Sequence, residues 1–255
     1  NLGLALFAAN IALWPAIEAL IAEGQRVYKA LKYAPFPVVG APSGMALGGG
    51  CEILLHCDAI QAHAESYIGL VEVGVGVVPG WGGCKEMLAR WIANPKRPGG
   101  PMPPVAKVFE MISTAQVSTS AEEAREMLIL REGDGITMNR DRLLADAKAK
   151  ALALLAAGYE PPAEPVFQLP GPSAKAALDL AVAGFRASGA ATPHDEVVAG
   201  KLACILSGGD TDITDTVSED ELYRFEREAF LELVRHPDTL ARIEHMLATG
   251  KPLRN

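Results

Sequence analysis

Disulfides, basic charge and long apolar runs are what this chain has least of. Four cysteines in 255 residues, Cys51, Cys57, Cys84 and Cys204, form no Cys-x-x-Cys pair and sit mostly among apolar residues. That is the pattern of reduced, buried thiols, and it points to a cytoplasmic compartment. Lys and Arg number 23 against 31 Asp and Glu, a formal charge of −8. Nucleic acid and anionic membrane surfaces need a basic face, so neither is expected as a partner held by general electrostatics. A small anionic ligand stays allowed, because it needs only a local patch.

The opening NLGLALFAANIALWPAIEALIAEG carries no charge before Glu18. It still falls short of the ~18 to 20 residues of a spanning helix, Pro15 interrupts it, and the basic start of a signal peptide is missing. No membrane span is expected. Position 1 is Asn rather than Met, so the chain is expected to be a piece of a longer polypeptide.

Cofactor motifs are missing too. Gly74 and Gly76 are followed by Val77, Val78 and Pro79, which breaks the dinucleotide fingerprint, and GGGCE has neither the Lys nor the Ser/Thr of a phosphate loop. His56 and His63 have no third ligand at a convincing spacing, so no metal is expected.

What is present describes an ordinary folded protein, 49% apolar and 21% charged, with 25 Gly and 18 Pro. Ile17, Leu20, Ile21, Val27 and Leu31 recur at helix spacing among charged residues, predicting an amphipathic helix over 17–33 that Pro35 and Pro37 end. VVGAPSG reads as one short buried strand, the segment 50–56 as a helix and AIQAHA as a second strand. The Pro-rich stretch 94–104 reads as a surface loop. Three segments follow: a core over 1–158, a Pro-rich linker over 159–172 and a helical C-terminal region over 173–255. In the last of these, Ser218 three residues before Glu221 is a capping-box signature.

Three consecutive glycines, Gly48, Gly49 and Gly50, stand directly before Glu52 and a buried-looking helix. Ordering glycine is entropically unfavourable, so a triplet suggests that the main chain itself closely approaches something. Exposed N–H groups at a helix start suit an oxygen that gains negative charge. Glu52 falls in the first helical turn, where the dipole favours a carboxylate by ~0.3 to 1 kcal/mol, a role that needs no chemistry. Glu72 stands alone in the apolar run YIGLVEVGVGVV. Burial there raises its pKa, as general acid–base work requires, unless an edge position or an Arg partner relieves it.

From Phe36 to Gly83 the segment FPVVGAPSGMALGGGCEILLHCDAIQAHAESYIGLVEVGVGVVPGWGG resembles the crotonase, or enoyl-CoA hydratase/isomerase, superfamily. The resemblance implies an α/β fold: a crotonase-like ββα spiral core lacking its first strands, followed by a helical C-terminal region. It implies catalytic roles for Glu52 and Glu72, an oxyanion-hole amide at Gly49, and substrate or water binding at Gly48, Gly49, Val71 and Gly80. The implied reaction is hydration of trans-2-enoyl-CoA to 3-hydroxyacyl-CoA in fatty-acid β-oxidation. It uses no metal or redox cofactor, and coenzyme A enters as part of the substrate.

The family's second oxyanion N–H comes from an upstream turn, at or just past which Asn1 would fall, and Phe36 replaces a usual Lys. The tail from Ile136 to HMLATGKPLRN is similar to the hydratase part of bifunctional proteins that carry an NAD-dependent 3-hydroxyacyl-CoA dehydrogenase first. An upstream dehydrogenase domain is therefore the implied partner, and a homo-oligomer is left open. The phosphates of coenzyme A call for Lys or Arg, with Arg26, Lys29 and Lys32 among the candidates. Enoyl-CoA isomerisation, or an inactive acyl-CoA-binding assembly module, are the alternatives.

Overall fold

The computed structural model describes residues 2–255. Asn1, and with it the expected end of an upstream turn, lies outside the described residues. Two helices open the chain, α1 (Leu2–Asn10) and α2 (Trp14–Lys32). Pro15 does interrupt the apolar start, by opening α2 from within its first turn, where a missing N–H loses no bond. Ile17, Ile21 and Gln25 form the buried face of α2, and Lys29 and Lys32 sit in its last turn, where cations meet the negative end of the helix dipole.

The segment VVGAPSG is two strands in two sheets rather than one. It divides into β1 (Val39–Gly40) and β2 (Gly44–Leu47), with Pro42 at the bend between them. Then come α3 (Gly49–Leu55), β3 (Ala59–His63) and β4 (Ser66–Gly69). After β4 the apolar run turns into a 3-10 helix over Glu72–Val75 that Gly76 ends at φ 83°.

Helices α4 (Gly83–Ala93), α5 (Met102–Ser113) and α6 (Ala121–Glu126) follow, then β5 (Gly135–Thr137) and α7 (Leu143–Ala156). The Pro-rich loop stops at residue 101, because Pro103 and Pro104 are taken into the first turn of α5. The chain closes with β6 (Val166–Phe167), α8 (Pro172–Ala187), α9 (Pro193–Ser207), β7 (Val217–Ser218), α10 (Glu219–Val234) and α11 (Pro237–Thr249). Ser218 and Glu221 make the expected capping box at the start of α10. Among the described residues, no helix is long and apolar enough to cross a membrane.

Strands β1, β3 and β5 form one parallel sheet in that order, β2 and β4 a second parallel pair, and β6 and β7 a short antiparallel pair. β3 is buried along nearly its whole length, as strands covered on both faces are. One hydrophobic cluster joins Ile17, Ile68, Met87, Ile112, Leu202, Phe230 and Ile243, so helices from both ends of the chain pack on the same core.

The stretch 159–172 is accordingly packed in its second half rather than a free linker. Phe167 pairs with Val217, and Phe167 and Leu169 are 2% and 0% exposed. Phe167→Ala is expected to lower stability by about 3 to 5 kcal/mol in urea unfolding, the range for truncating a core aromatic. A loss below about 0.5 kcal/mol would mean that 159–172 does behave as a tether.

Candidate active site

The two parallel strands of the β2–β4 pair end side by side, with Leu47 opposite Gly69. Gly48 N–H donates to the Gly69 carbonyl at 2.9 Å, which closes the ladder where both chains leave the sheet. From one exit the chain turns into α3 and reaches Glu52; from the other it turns into the 3-10 helix and reaches Glu72. Twenty residues apart in sequence, the two acids therefore rise from the carboxyl ends of neighbouring strands, where open α/β sheets hold their ligands.

Two of the three glycines have a steric reason to be there. Gly48 adopts φ 57°, and a Cβ on it would lie 3.2 Å from Glu72 Oε1. A Cβ on Gly49 would lie 2.9 Å from Trp81 Cζ3. Gly50 meets nothing nearer than the Ala46 Cβ at 4.0 Å. Gly49 and Gly50 are the first residues of α3, and the first four N–H groups of a helix have no partner within it. The next peptide is held, since the Gly49 carbonyl accepts from the Tyr28 hydroxyl at 3.1 Å.

The acids have contrasting surroundings. Glu52 is buried, and its Oε1 accepts from the Trp81 and Gly83 N–H groups at 2.8 and 3.0 Å. Burial pushes Glu52 up; the two N–H groups and the Lys85 charge oppose it and leave it at about 7. Among the described residues, neither oxygen of Glu72 has a hydrogen-bond partner and neither reaches solvent, so no Arg relieves it. Burial, then the charge of Glu52, raises Glu72 well above the carboxylate range.

Gly48, Gly49, Glu52, Val71, Glu72 and Gly80 all line one cavity of about 870 Å³. Apolar residues of α2, α10 and α11 complete its wall, among them Ile17, Ile21, Phe230 and Met246. Trp81 also faces this cavity, packed edge-on against Tyr28 with ring centroids 5.5 Å apart. A further participant, Glu226, is fully buried in α10 and accepts from the Gly82 and Lys85 N–H groups at 2.6 and 3.0 Å. Its sequence signal was its spacing, four residues after Leu222 and four before Phe230 on the buried face of α10.

The three basic residues considered for phosphate binding are already engaged. Arg26 pairs with Glu23, Lys29 with Asp220 and Glu164, and Lys32 with Glu86 and Glu219. Away from the cavity, His194, His236 and Asp238 bring ligand-type atoms within 4.8 Å of one another. The two imidazoles face each other at 4.6 Å between centroids, and His236 Nδ1 accepts from the Asp238 N–H as the cap of α11. A metal must lie in the plane of each ring that binds it, which this facing arrangement disfavours.

Residues 18–130 match the family described as enoyl-CoA hydratase/isomerase. The chain is 45% identical over 94% of its length to a Bacillus subtilis (strain 168) protein named "Probable 3-hydroxyacyl-CoA dehydrogenase", of which it spans 30%. It is 31% identical over 59% of its length to a crotonyl-CoA hydratase of Syntrophomonas wolfei, spanning 53% of that protein. Its fold matches a crystal structure of an enoyl-CoA hydratase from Bacillus halodurans with a TM-score of 0.57 at 17% identity, covering 96% of this chain and 74% of that one. The chain thus spans about a third of the first relative.

Unfolding returns Glu72 to an ordinary carboxylate, so above about pH 4.5 the unfolded chain loses a proton that the folded chain keeps. Stability from this group is therefore lost as pH rises. Glu72→Gln removes that penalty, and its gain in melting temperature over wild type is expected to be small at about pH 5 and clear at about pH 8. The same difference at both pH values would mean that Glu72 is ionised in the fold.

Proposed function

We propose that the chain, whose residues 18–130 match the enoyl-CoA hydratase/isomerase family, supplies the hydratase site of a longer polypeptide. That site adds water to a trans-2-enoyl-CoA to give a 3-hydroxyacyl-CoA in fatty-acid β-oxidation. The observation that carries this reading is the pair of carboxyl groups in unlike surroundings, on one cavity with the first amide of α3.

Charge develops on the thioester oxygen as water adds to C3, and an N–H at the start of α3 answers that charge. Gly49 is the residue whose amide fits the role. Two acids whose surroundings push their titrations apart divide the proton work between them. Glu52, near 7 and steadied by two N–H donors, takes a proton from water as its oxygen bonds to C3. Glu72, raised well above the carboxylate range by burial, gives its proton to C2. Each acid ends in the other's starting state, and exchange with solvent resets the pair. Gly48, Val71 and Gly80 would shape the bed for substrate and water.

The reaction calls on no metal or redox group. Coenzyme A is part of the substrate, and NAD would belong to a dehydrogenase domain elsewhere in the polypeptide. The relative named as a dehydrogenase, more than three times the length matched here, supports that arrangement. The compartment proposed is the cytoplasm, in keeping with four unpaired cysteines.

The test uses the complete polypeptide and a short trans-2-enoyl-CoA, followed by loss of the conjugated-thioester absorbance. Glu72→Gln is expected to lower kcat on the order of 10²- to 10⁴-fold, the worth of a positioned proton donor, with the fold unchanged by circular dichroism. Undiminished turnover in the variant would remove Glu72 from the mechanism. A wild type that shifts the double bond of a 3-enoyl-CoA but adds no water would replace hydration with isomerisation.

A further inference from the structure

We infer that Glu226 is a positioning residue for this site: from the C-terminal helix α10 its carboxyl fixes the turn over 80–85, and through that turn it aims Glu52. The amides of the turn alternate between two acids. Trp81 and Gly83 N–H go to Glu52 Oε1 at 2.8 and 3.0 Å, while Gly82 N–H goes to Glu226 Oε2 at 2.6 Å and Lys85 N–H to Glu226 Oε1 at 3.0 Å. Successive N–H groups point to opposite sides because Gly82 takes φ 101°. No other residue fits there, since a Cβ would lie 2.8 Å from the His56 ring and 2.9 Å from Tyr223. The turn is thus gripped between a carboxyl from α3 and a carboxyl from α10.

The grip is built into the surrounding helices. Gln25 of α2 donates through Nε2 to both the Gly80 carbonyl and the Tyr223 carbonyl at 2.8 Å, and its Oε1 accepts from Arg227 at 2.7 Å. Tyr223, one turn before Glu226, reaches His56 Nε2 at 3.0 Å. Glu226 itself is 0% exposed and uses both oxygens on the turn. Water cannot replace it without entering the core, so removing one oxygen leaves a buried N–H unpaired. The strain falls on the two neighbouring amides that hold Glu52.

Only the turnover part of the test rests on the hydratase reading. In the complete polypeptide, Glu226→Gln is compared with wild type by amide hydrogen exchange across 80–85, by thermal unfolding and by hydration of a short trans-2-enoyl-CoA. Ser218→Ala, at the cap of the same helix, serves as a variant that weakens α10 without touching the turn. Exchange at Trp81 and Gly83 is expected to quicken about tenfold or more in Glu226→Gln, though their own acceptor is intact. Its kcat is expected to fall on the order of 10²-fold with KM nearly unchanged, as for a displaced catalytic group.

Exchange at Trp81 and Gly83 and kcat per folded molecule that match Ser218→Ala would overturn the proposal and leave Glu226 a packing residue. If wild type adds no water, exchange alone decides. Quickened exchange then upholds the positioning role while the hydratase reading fails, and unchanged exchange rejects the role. Should Glu226→Gln not fold, Glu226→Asp, which keeps the carboxyl but shortens the reach, is read by the same measurements.

Discussion

Everything at the candidate site depends on how the turn over 80–85 shares out its backbone N–H groups. A buried carboxyl is costly unless something answers its charge, and main-chain amides do so without introducing a counter-ion that would silence the acid. Glu52 receives two of them and settles near 7. Glu72 receives none from that turn, and burial with the charge of Glu52 raises it well above the carboxylate range. Which of two identical side chains the turn faces is one source of the difference between them, beside the Lys85 charge at Glu52 and the Glu52 charge at Glu72. Gly82 and Gly83 make this possible, because a Cβ at either would run into the packed groups around it at under 3.0 Å.

Beside this turn lies a second set of buried charges with a different purpose. Lys85 pairs with Glu86 and with Glu219, and Lys32 reaches the same two carboxylates at 2.6 and 2.8 Å. Burial by itself would raise Glu86, but the Lys85 ammonium, with Lys32, outweighs it and holds the carboxyl low. His56 Nδ1 donates to the Glu52 carbonyl at 2.7 Å, so Nε2 is left to accept from Tyr223. Burial lowers His56 to about 4, which keeps that ring neutral. Replacing such a network by apolar groups is often neutral for stability, whereas breaking one member is costly. Its members come from α2, α4 and α10 and from His56 at the end of α3, and it ties those elements together beside the cavity.

Some of this was legible along the chain. Ile17 and Ile21 of the helical stripe, the capping box Ser218–Glu221 and the first-turn position of Glu52 are local patterns that local geometry honours, whereas Val27 of that stripe is exposed and Gln25, outside it, is buried. The glycine triplet gave away a close approach of the main chain, and Glu72 stood out because a lone acid in an apolar run must be answered or neutralised. Where the reading went astray, proline was the common cause. Pro42 split one expected strand between two sheets, Pro103 and Pro104 began a helix instead of prolonging a loop, and the stretch 159–172 turned out to carry the buried Phe167. A proline fixes its own φ and removes one donor, but whether it ends an element or begins one depends on what the next residues pack against.

By itself, then, the sequence determined which residues could do chemistry and which faces of its helices would be buried, because both follow from side-chain type and from periods of two or 3.6 residues. Only the tertiary structure decided that no base pairs with Glu72, that amides 29 and 31 residues away steady Glu52, and that Glu226 reaches an amide 144 residues before it. Hydrogen-bond partners so distant along the chain leave no periodic trace. They are fixed when the helices pack and each buried polar group must find whatever donor or acceptor the fold has brought within reach.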